Sequence, residues 1–401
     1  MPQWLYLLLA VPSVSAAIGW VTNWQAVKMI FWPERRLGWG LLSWQGIIFH
    51  HADKFATNLG RMAQQNLLSG SDVVARIDLG VVEELVARPL EAKAPSLVER
   101  AAESLRPGAW QMMPEPMRAM VISQVSAKSR AMARELATEL APVLAAELDI
   151  EAVVRAQLSG PNVRRLSRLT HEIGHKEFHF IEWSGGVFGL IIGVAQLAVW
   201  NVMQTWWLMP IFGVVVGLVT NWLALQMIFR PHQRTRYLGI PYQGLFPKRQ
   251  AEIARDYGRT TAAEVITPKT LIDFLLQSPR QERIGARLES AIGARIDQEW
   301  AAVKALVPFP VSDQQLGELK ALVTQQVYAA AAELRPEIER ELGLKLEIQT
   351  TVEARLASLS KPEFERLLRG VFQEDELTLI LVGGGLGGLV GLLQAILVLA
   401  Q

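Results

Sequence analysis

Apolar and polar positions along the chain follow two patterns. In the first, mostly apolar runs occupy Trp4 to Phe31, Ile181 to Trp200, Thr205 to Phe229 and Leu377 to Ala400. Each is close to or above the roughly 20 residues that a helix needs to cross a bilayer. In the second, apolar residues recur at i, i+3 and i+4 among Ala, Glu and Arg, as Val82, Leu85, Val86 and Leu90 do. That is the period of an amphipathic helix built from good helix formers. It fills the stretches between the first and second runs and between the third and fourth. Helix breaks are expected at Pro114/Pro116, Gly160-Pro161, Pro308/Pro310 and Pro336. No alternating strand run of useful length is present. The pattern predicts an all-α membrane protein with four transmembrane helices and two long helical inserts, 34–180 and 230–376. Only Asn201 to Gln204 join the middle runs, which therefore form a tight helical hairpin.

Composition narrows the class. Half of the 401 residues are hydrophobic, 20% are charged and the mean hydropathy is +0.20, against about 25% charged in ordinary soluble domains. A simple soluble enzyme and a disordered chain are excluded. A net charge of +1 supplies no field for a polyanion, so nucleic acid is not a partner. The absence of cysteine excludes disulfides and thiolate chemistry. The first apolar run carries Pro12 and continues past Gly19 to Phe31, which does not suit a cleavable signal peptide. Basic residues flank the insert side of the runs: Arg35 and Arg36 after the first, and Arg230, Arg234, Arg236, Lys248 and Arg249 after the third. The positive-inside rule puts both inserts in the cytoplasm and both termini outside.

Laid over itself with a shift of 198 positions, the chain repeats. Pro12, Gly19 and Val21-Thr22-Asn23-Trp24 fall on Pro210, Gly217 and Val219-Thr220-Asn221-Trp222. Gln45-Gly46 falls on Gln243-Gly244, and Gly185-Gly186, Gly189, Gly193 and Gln196 fall on Gly383-Gly384, Gly387, Gly391 and Gln394. The expected organisation is two tandem repeats, 1–200 and 201–401, each running span, insert, span. With an even number of spans per repeat the two have the same orientation, and their pseudo-axis lies along the bilayer normal.

Two copies of Gly-x-x-Thr-Asn-Trp-x-Ala-x-x-Met-Ile-Phe-x-Pro, each followed by a Gln-Gly loop, resemble the bacterial YheB/YjiN-like membrane proteins, DUF family 445. The Gly-Gly-x-x-Gly-x-x-x-Gly-x-x-Gln endings at 185–196 and 383–394 are similar to that family's closing spans, and the resemblance covers essentially the whole chain. It implies a helical protein of the bacterial inner membrane with no assigned chemistry or ligand.

Several residues invite a function. Thr22, Asn23, Thr220 and Asn221 are polar groups inside spans, where an unpaired amide is costly. Gln196 and Gln394 are the natural partners for the two asparagines. The set reads either as a polar site at the repeat interface or as interhelical bonding, and bonding is the more economical account. Gly19, Gly217, Gly189, Gly193, Gly387 and Gly391 make smooth faces for close helix packing, within the chain more readily than between chains. Pro12 and Pro210 are expected to interrupt the opening spans. Trp32, Trp39 and Trp44, and later Tyr237 and Tyr242, sit beside arginines in loops suited to the headgroup level. Anionic lipid could be held there, though interfacial anchoring explains the same residues.

The one chemical motif is His171-Glu172-Ile173-Gly174-His175, the H-E-x-x-H pattern of zinc peptidases, with His179 one turn on. Two histidines at i and i+4 share a helix face. Against a metal site, Val163, Leu166, Leu169, Ile173 and Phe180 are expected to be buried, leaving the histidines with Arg164 and Arg168. His171 and His179 stand about 12 Å apart on a straight helix, too far for one tetrahedral ion. The matching stretch Arg369-Gly370-Val371-Phe372-Gln373 has no histidine. His50, His51 and Asp53 lack further ligands and read as a surface group. The expectation is therefore no catalytic residue, no metal and no cofactor. The function expected is a non-enzymatic membrane protein whose inserts serve self-assembly, scaffolding or lipid contact, with membrane lipids as partners and homo-oligomerisation open. A membrane metallopeptidase using His171, Glu172 and His175 is the rival reading, and a transporter or channel comes third, because only Lys28 and Glu182 carry charge in the spans.

Overall fold

Helix dominates, as the apolar periodicity dictates. The structure, a computed structural model, describes residues 3–39, 43–77, 79–237, 239–304, 310–369 and 376–399. In the first part of the chain the helices are α1 (Gln3–Phe31), α2 (Ile47–His50), α3 (Ala52–Met62), α4 (Gly70–Ala75), α5 (Leu79–Leu105), α6 (Ala109–Met112), α7 (Glu115–Glu147) and α8 (Ile150–Leu158). Then come α9 (Val163–Met203) and α10 (Leu208–Phe229), followed by a hairpin of β1 (Thr235–Tyr237) and β2 (Ile240–Tyr242). The rest comprises α11 (Leu245–Lys248), α12 (Gln250–Thr260), α13 (Pro268–Leu275), α14 (Arg280–Val303), α15 (Asp313–Lys345), α16 (Ile348–Ser358), α17 (Lys361–Arg369) and α18 (Glu376–Leu399).

The chain divides into two units: residues 1–67, 154–265 and 349–401 form the first, and 68–153 with 266–348 the second. In the first unit α1 packs along α9, α10 packs along α18, and the two pairs meet where α1 touches α10 and α18 and where α9 touches α10. Glycine makes the pairing close. A Cβ placed on Gly19 would lie 2.1 Å from the Gly185 carbonyl oxygen, and one on Gly217 would lie 2.0 Å from that of Gly383. The other faces of α9 and α18 carry exposed Val187, Ile191 and Val194, and Leu389, Leu393 and Ile396. Small residues inside and large apolar ones outside is the arrangement of helices surrounded by lipid. Among the described residues, three helical stretches are long and apolar enough to cross a membrane: Gly160–Met203, Leu208–Phe229 and Glu376–Ile396.

The second unit is built from α5, α7, α14 and α15, with α4 against α7 and α13 against α15. Leu136, Ala291, Ile292, Ile296 and Val327 form a buried core there. Capping boxes start α4 at Ser69, α13 at Thr267 and α15 at Ser312, satisfying amides that each helix would otherwise leave unpaired. Surface ion pairs such as Lys93–Glu333 at 2.8 Å and Lys320–Asp297 at 2.6 Å add at most about 1 kcal/mol each.

Several local expectations are corrected. Pro12 lies within a continuous α1, Pro210 falls in the first turn of α10, where a missing N–H costs nothing, and Pro336 lies inside α15. The break expected at Pro114 does form, between α6 and α7, with Pro114 as the N-cap of α7. Pro308 and the stretch from Gly370 to Gln373 lie outside the described residues. The short strands were not expected, and they have a counterpart: Thr235 pairs with Tyr242, and 198 positions earlier an isolated bridge joins Leu37 to Trp44. The Gln-Gly loops close the same way twice. Gln45 Nε2 donates to the Glu34 carbonyl at 2.9 Å and Gln243 Nε2 to the His232 carbonyl at 2.8 Å. Gly46 and Gly244 each donate their amide to the proline carbonyl that ends the preceding motif, that of Pro33 and Pro231.

Candidate functional site

The Thr-Asn pairs lie within the bundle, and all four residues are buried. Asn23 Nδ2 donates to the Ile181 carbonyl at 2.6 Å, and Asn221 Nδ2 to the Leu379 carbonyl at 2.8 Å. A backbone carbonyl has two lone pairs, so it can take the amide besides its own helical bond. Both acceptors lie one turn before a glycine, and that glycine makes the bond possible. A Cβ on Gly185 would sit 2.5 Å from Asn23 Nδ2, and one on Gly383 would sit 2.3 Å from Asn221 Nδ2. The Thr-Asn motif and the Gly-Gly motif are thus two sides of one joint.

Pairing of the asparagines with Gln196 and Gln394 is not what forms. Gln196 is buried and accepts from Ser15 Oγ at 2.9 Å, whereas Gln394 is half-buried on α18 and the residue matching Ser15 is Gly213. Thr22 Oγ1 donates to the Gly19 carbonyl at 3.2 Å and Thr220 Oγ1 to that of Val216 at 2.7 Å. Thr220 Oγ1 also lies 3.4 Å from Asn23 Oδ1, linking the two helix pairs. Asn221 Oδ1 is buried without a partner. The packing glycines all meet backbone or short side chains within the chain. A Cβ on Gly189 would lie 2.3 Å from the Ser15 carbonyl oxygen, on Gly193 2.7 Å from Pro12 Cα, on Gly387 2.1 Å from the Gly213 oxygen and on Gly391 2.4 Å from the Met209 oxygen. None of these polar side chains is titratable near neutral pH, and their contacts join helix to helix or turn to turn.

On the part of α9 that precedes the apolar run, His171, Glu172, His175 and His179 are exposed, as are Arg164 and Arg168. His171 packs edge-on against Phe31 at 5.1 Å and lies 6.5 Å from His175 between ring centroids. Arg164 pairs with Glu34 at 2.8 Å, and Arg168 with Glu264 at 3.4 Å. Among the described residues no three His, Asp or Glu side chains gather where a metal ion could be held. The buried stripe of this helix runs through Leu166, Leu169, Gly174, Glu177 and Phe178, while Val163, Ile173 and Phe180 are only half-buried.

Glu177 is a residue that the sequence reading missed. It is 1% exposed, and its carboxylate accepts from Arg249, whose Nε also donates to Glu252 at 2.9 Å. Lys176 reaches the same Glu252 at 2.5 Å. The hydrogen bonds from Arg249 and Lys176 hold the Glu252 carboxyl down at about 2. A second missed carboxylate, Glu365 on α17, is buried among Arg230, His232 and Arg369. Burial pushes its carboxyl up, but the hydrogen bond from His232 and the neighbouring charges outweigh that and leave it lowered. The available signal was register: Glu177 lies on the line of Leu166, Leu169 and Ile173, where an apolar residue is expected. These networks tie α9 to α12, and the end of α10 to α17.

Residues 211–339 match the model of DUF445, described as a protein family of unknown function. A UPF0754 membrane protein of Lysinibacillus sphaericus (strain C3-41) is 28% identical over 165 residues, 39% of this chain and 43% of the relative. One from Synechococcus sp. (strain JA-3-3Ab) is 30% identical over 131 residues, 30% of this chain and 32% of the relative. One from Exiguobacterium sibiricum is 41% identical over 73 residues, 17% of this chain and 19% of the relative. The chain thus aligns with less than half the length of these relatives. No solved structure matches it.

Proposed function

We propose that this chain, similar to the DUF445 membrane proteins over part of its length, is a four-span, two-repeat protein of the bacterial inner membrane with a non-enzymatic role in assembly and lipid contact. The observation that carries this is the pair of joints 198 positions apart. Asn23 on the Ile181 carbonyl and Asn221 on the Leu379 carbonyl, each admitted by a glycine, draw two helix pairs into backbone contact. The amide N–H groups of Asn23 and Asn221 are thereby committed to packing, which favours a structural role over a transport path. The fourth span is α1, whose 29 residues reach about 44 Å as a helix and which packs on α9, α10 and α18. Both inserts face the cytoplasm, in keeping with the basic residues that follow α1 and α10.

Reporter fusions of the full chain after Ala101 and after Glu299 test the topology. Both should report cytoplasm, and a periplasmic signal from either would overturn it. Purified protein incubated with an unfolded protein substrate tests the role. No cleavage is expected, and cleavage abolished by Glu172→Gln would overturn the non-enzymatic reading.

A further inference from the structure

Trp44 Nε1, in the loop after α1, and Asn221 Oδ1, inside the helix bundle, are both buried without a partner. The second lies among groups of its own kind. Thr22, Asn23, Thr220 and Asn221 are each at most 3% exposed, and they come from α1 and α10, which pack on each other. Asn23 and Asn221 must turn Nδ2 toward the Ile181 and Leu379 carbonyls, because a carbonyl only accepts. A planar amide holds its oxygen on the other side of Cγ. Both Oδ1 atoms therefore turn away from the carbonyl that the nitrogen binds. For Asn23 that side is α10, where Oδ1 lies 3.4 Å from Thr220 Oγ1.

The protons of the two hydroxyls are spent elsewhere. A hydroxyl has one proton, and Thr220 uses it on the Val216 carbonyl at 2.7 Å. The 3.4 Å contact with Asn23 thus sets lone pair against lone pair. Thr22 spends its proton in the same way, on the Gly19 carbonyl at 3.2 Å. The four side chains present oxygens to one another and keep their N–H and O–H groups for backbone. Acceptors buried together without a donor are costly, and the cost is relieved by a donor or a positive charge among them.

We propose that Asn23 Oδ1, Thr220 Oγ1 and Asn221 Oδ1, with Thr22 Oγ1, hold a sodium ion that ties the α1–α9 pair to the α10–α18 pair. Two ligands 3.4 Å apart span one edge of an octahedron whose centre is about 2.4 Å from each, the reach of a hard cation to oxygen. Calcium has that reach but is held by carboxylates, and all four residues here are neutral. Magnesium sits closer, at about 2.0–2.1 Å, and gives up its water reluctantly. Sodium is nearly the size of calcium with half the charge, which matches neutral oxygens. The glycine joints hold the helices within each pair; the ion holds one pair to the other. Only its lipid surroundings rest on the spanning reading above.

The test uses the full chain purified in detergent and kept in choline chloride, with sodium chloride replacing the choline salt at constant ionic strength. The melting temperature should rise saturably with sodium and much less with potassium, because binding to the folded state alone stabilises it while screening stays fixed. Thr220→Val keeps the branched shape and removes one ligand. It should raise the sodium concentration for half-maximal stabilisation about tenfold or more. Ser15→Ala removes a buried bond to Gln196 elsewhere in the bundle and should leave that concentration within about twofold. Each variant is read from its own titration, so a lower starting stability is not mistaken for lost binding. Should Thr220→Val fail to fold, Thr22→Val is read in the same way. Equal melting temperatures in sodium, potassium and choline overturn the proposal, and are the result expected if water satisfies these oxygens. A half-maximal concentration unchanged in the threonine variant also overturns it. Since the titration needs no bilayer, the topology can fail in the reporter fusions while the sodium response stands, and the reverse.

Discussion

Two glycines on α18, two positions apart, allow the packing argument to be tested without changing the chemistry of the substitution. At Gly383 an alanine Cβ would lie 2.3 Å from Asn221 Nδ2 and 2.8 Å from the Gly217 carbonyl oxygen. Neither can yield alone, because one is backbone and the other is a side chain held by its bond to Leu379. Overpacking of this kind costs about 1–3 kcal/mol, and loss of an interhelical bond in a membrane about 0.6 kcal/mol more. Gly383→Ala should therefore destabilise by about 2–3 kcal/mol. At Gly385 nothing lies within 4 Å of the added methyl. There alanine should gain about 0.5–1 kcal/mol from its better helix propensity. The assay is reversible unfolding in mixed micelles followed by circular dichroism, with both variants beside wild type. Equal effects at the two sites, or a tolerated Gly383→Ala, would refute the account of the α10–α18 joint.

Other outcomes follow from the same geometry. Asn23→Ala and Asn221→Ala should lower stability by similar amounts, about 0.6–1.7 kcal/mol; a variant that loses cellular function while keeping wild-type stability would mark its asparagine as more than a packing residue. The Glu252 carboxyl is held at about 2, below its usual 4.5, so its contribution to stability is present above pH 4.5 and is lost as pH falls through about 2. Glu252→Gln should flatten that part of the acid unfolding curve. Because the side chain is 43% exposed, the difference should shrink in high salt. Metal analysis of purified protein should find zinc below stoichiometry; one zinc per chain, lost in His171→Ala/His175→Ala, would establish a metal site on α9.

The sequence alone carried the helical elements and the recurrence of their motifs 198 positions apart, because these are written in local terms. Apolar runs long enough to span, the i, i+3, i+4 stripes of the inserts and the recurrence of Gly, Thr-Asn and Gln-Gly positions need no partner to be recognised. It also singled out the glycines that approach backbone, since small residues at four-residue spacing mark a face. The acceptors of the two asparagines were not legible. They are main-chain carbonyls 158 positions away, and every residue carries a carbonyl, so side-chain identity pointed to Gln196 and Gln394 instead. Burial of Glu177 and Glu365 was equally hidden, for a carboxylate can enter a core only when cations from other segments, Arg249 for one and Arg230 with Arg369 for the other, fold against it. The prolines inside α1 and α15 show the same division from the other side. Local chemistry predicted breaks at Pro12 and Pro336, but packing along the rest of each helix outweighs one lost backbone bond. Long-range pairing, which no window of sequence contains, decided which polar groups were satisfied and left the Trp44 N–H without a partner.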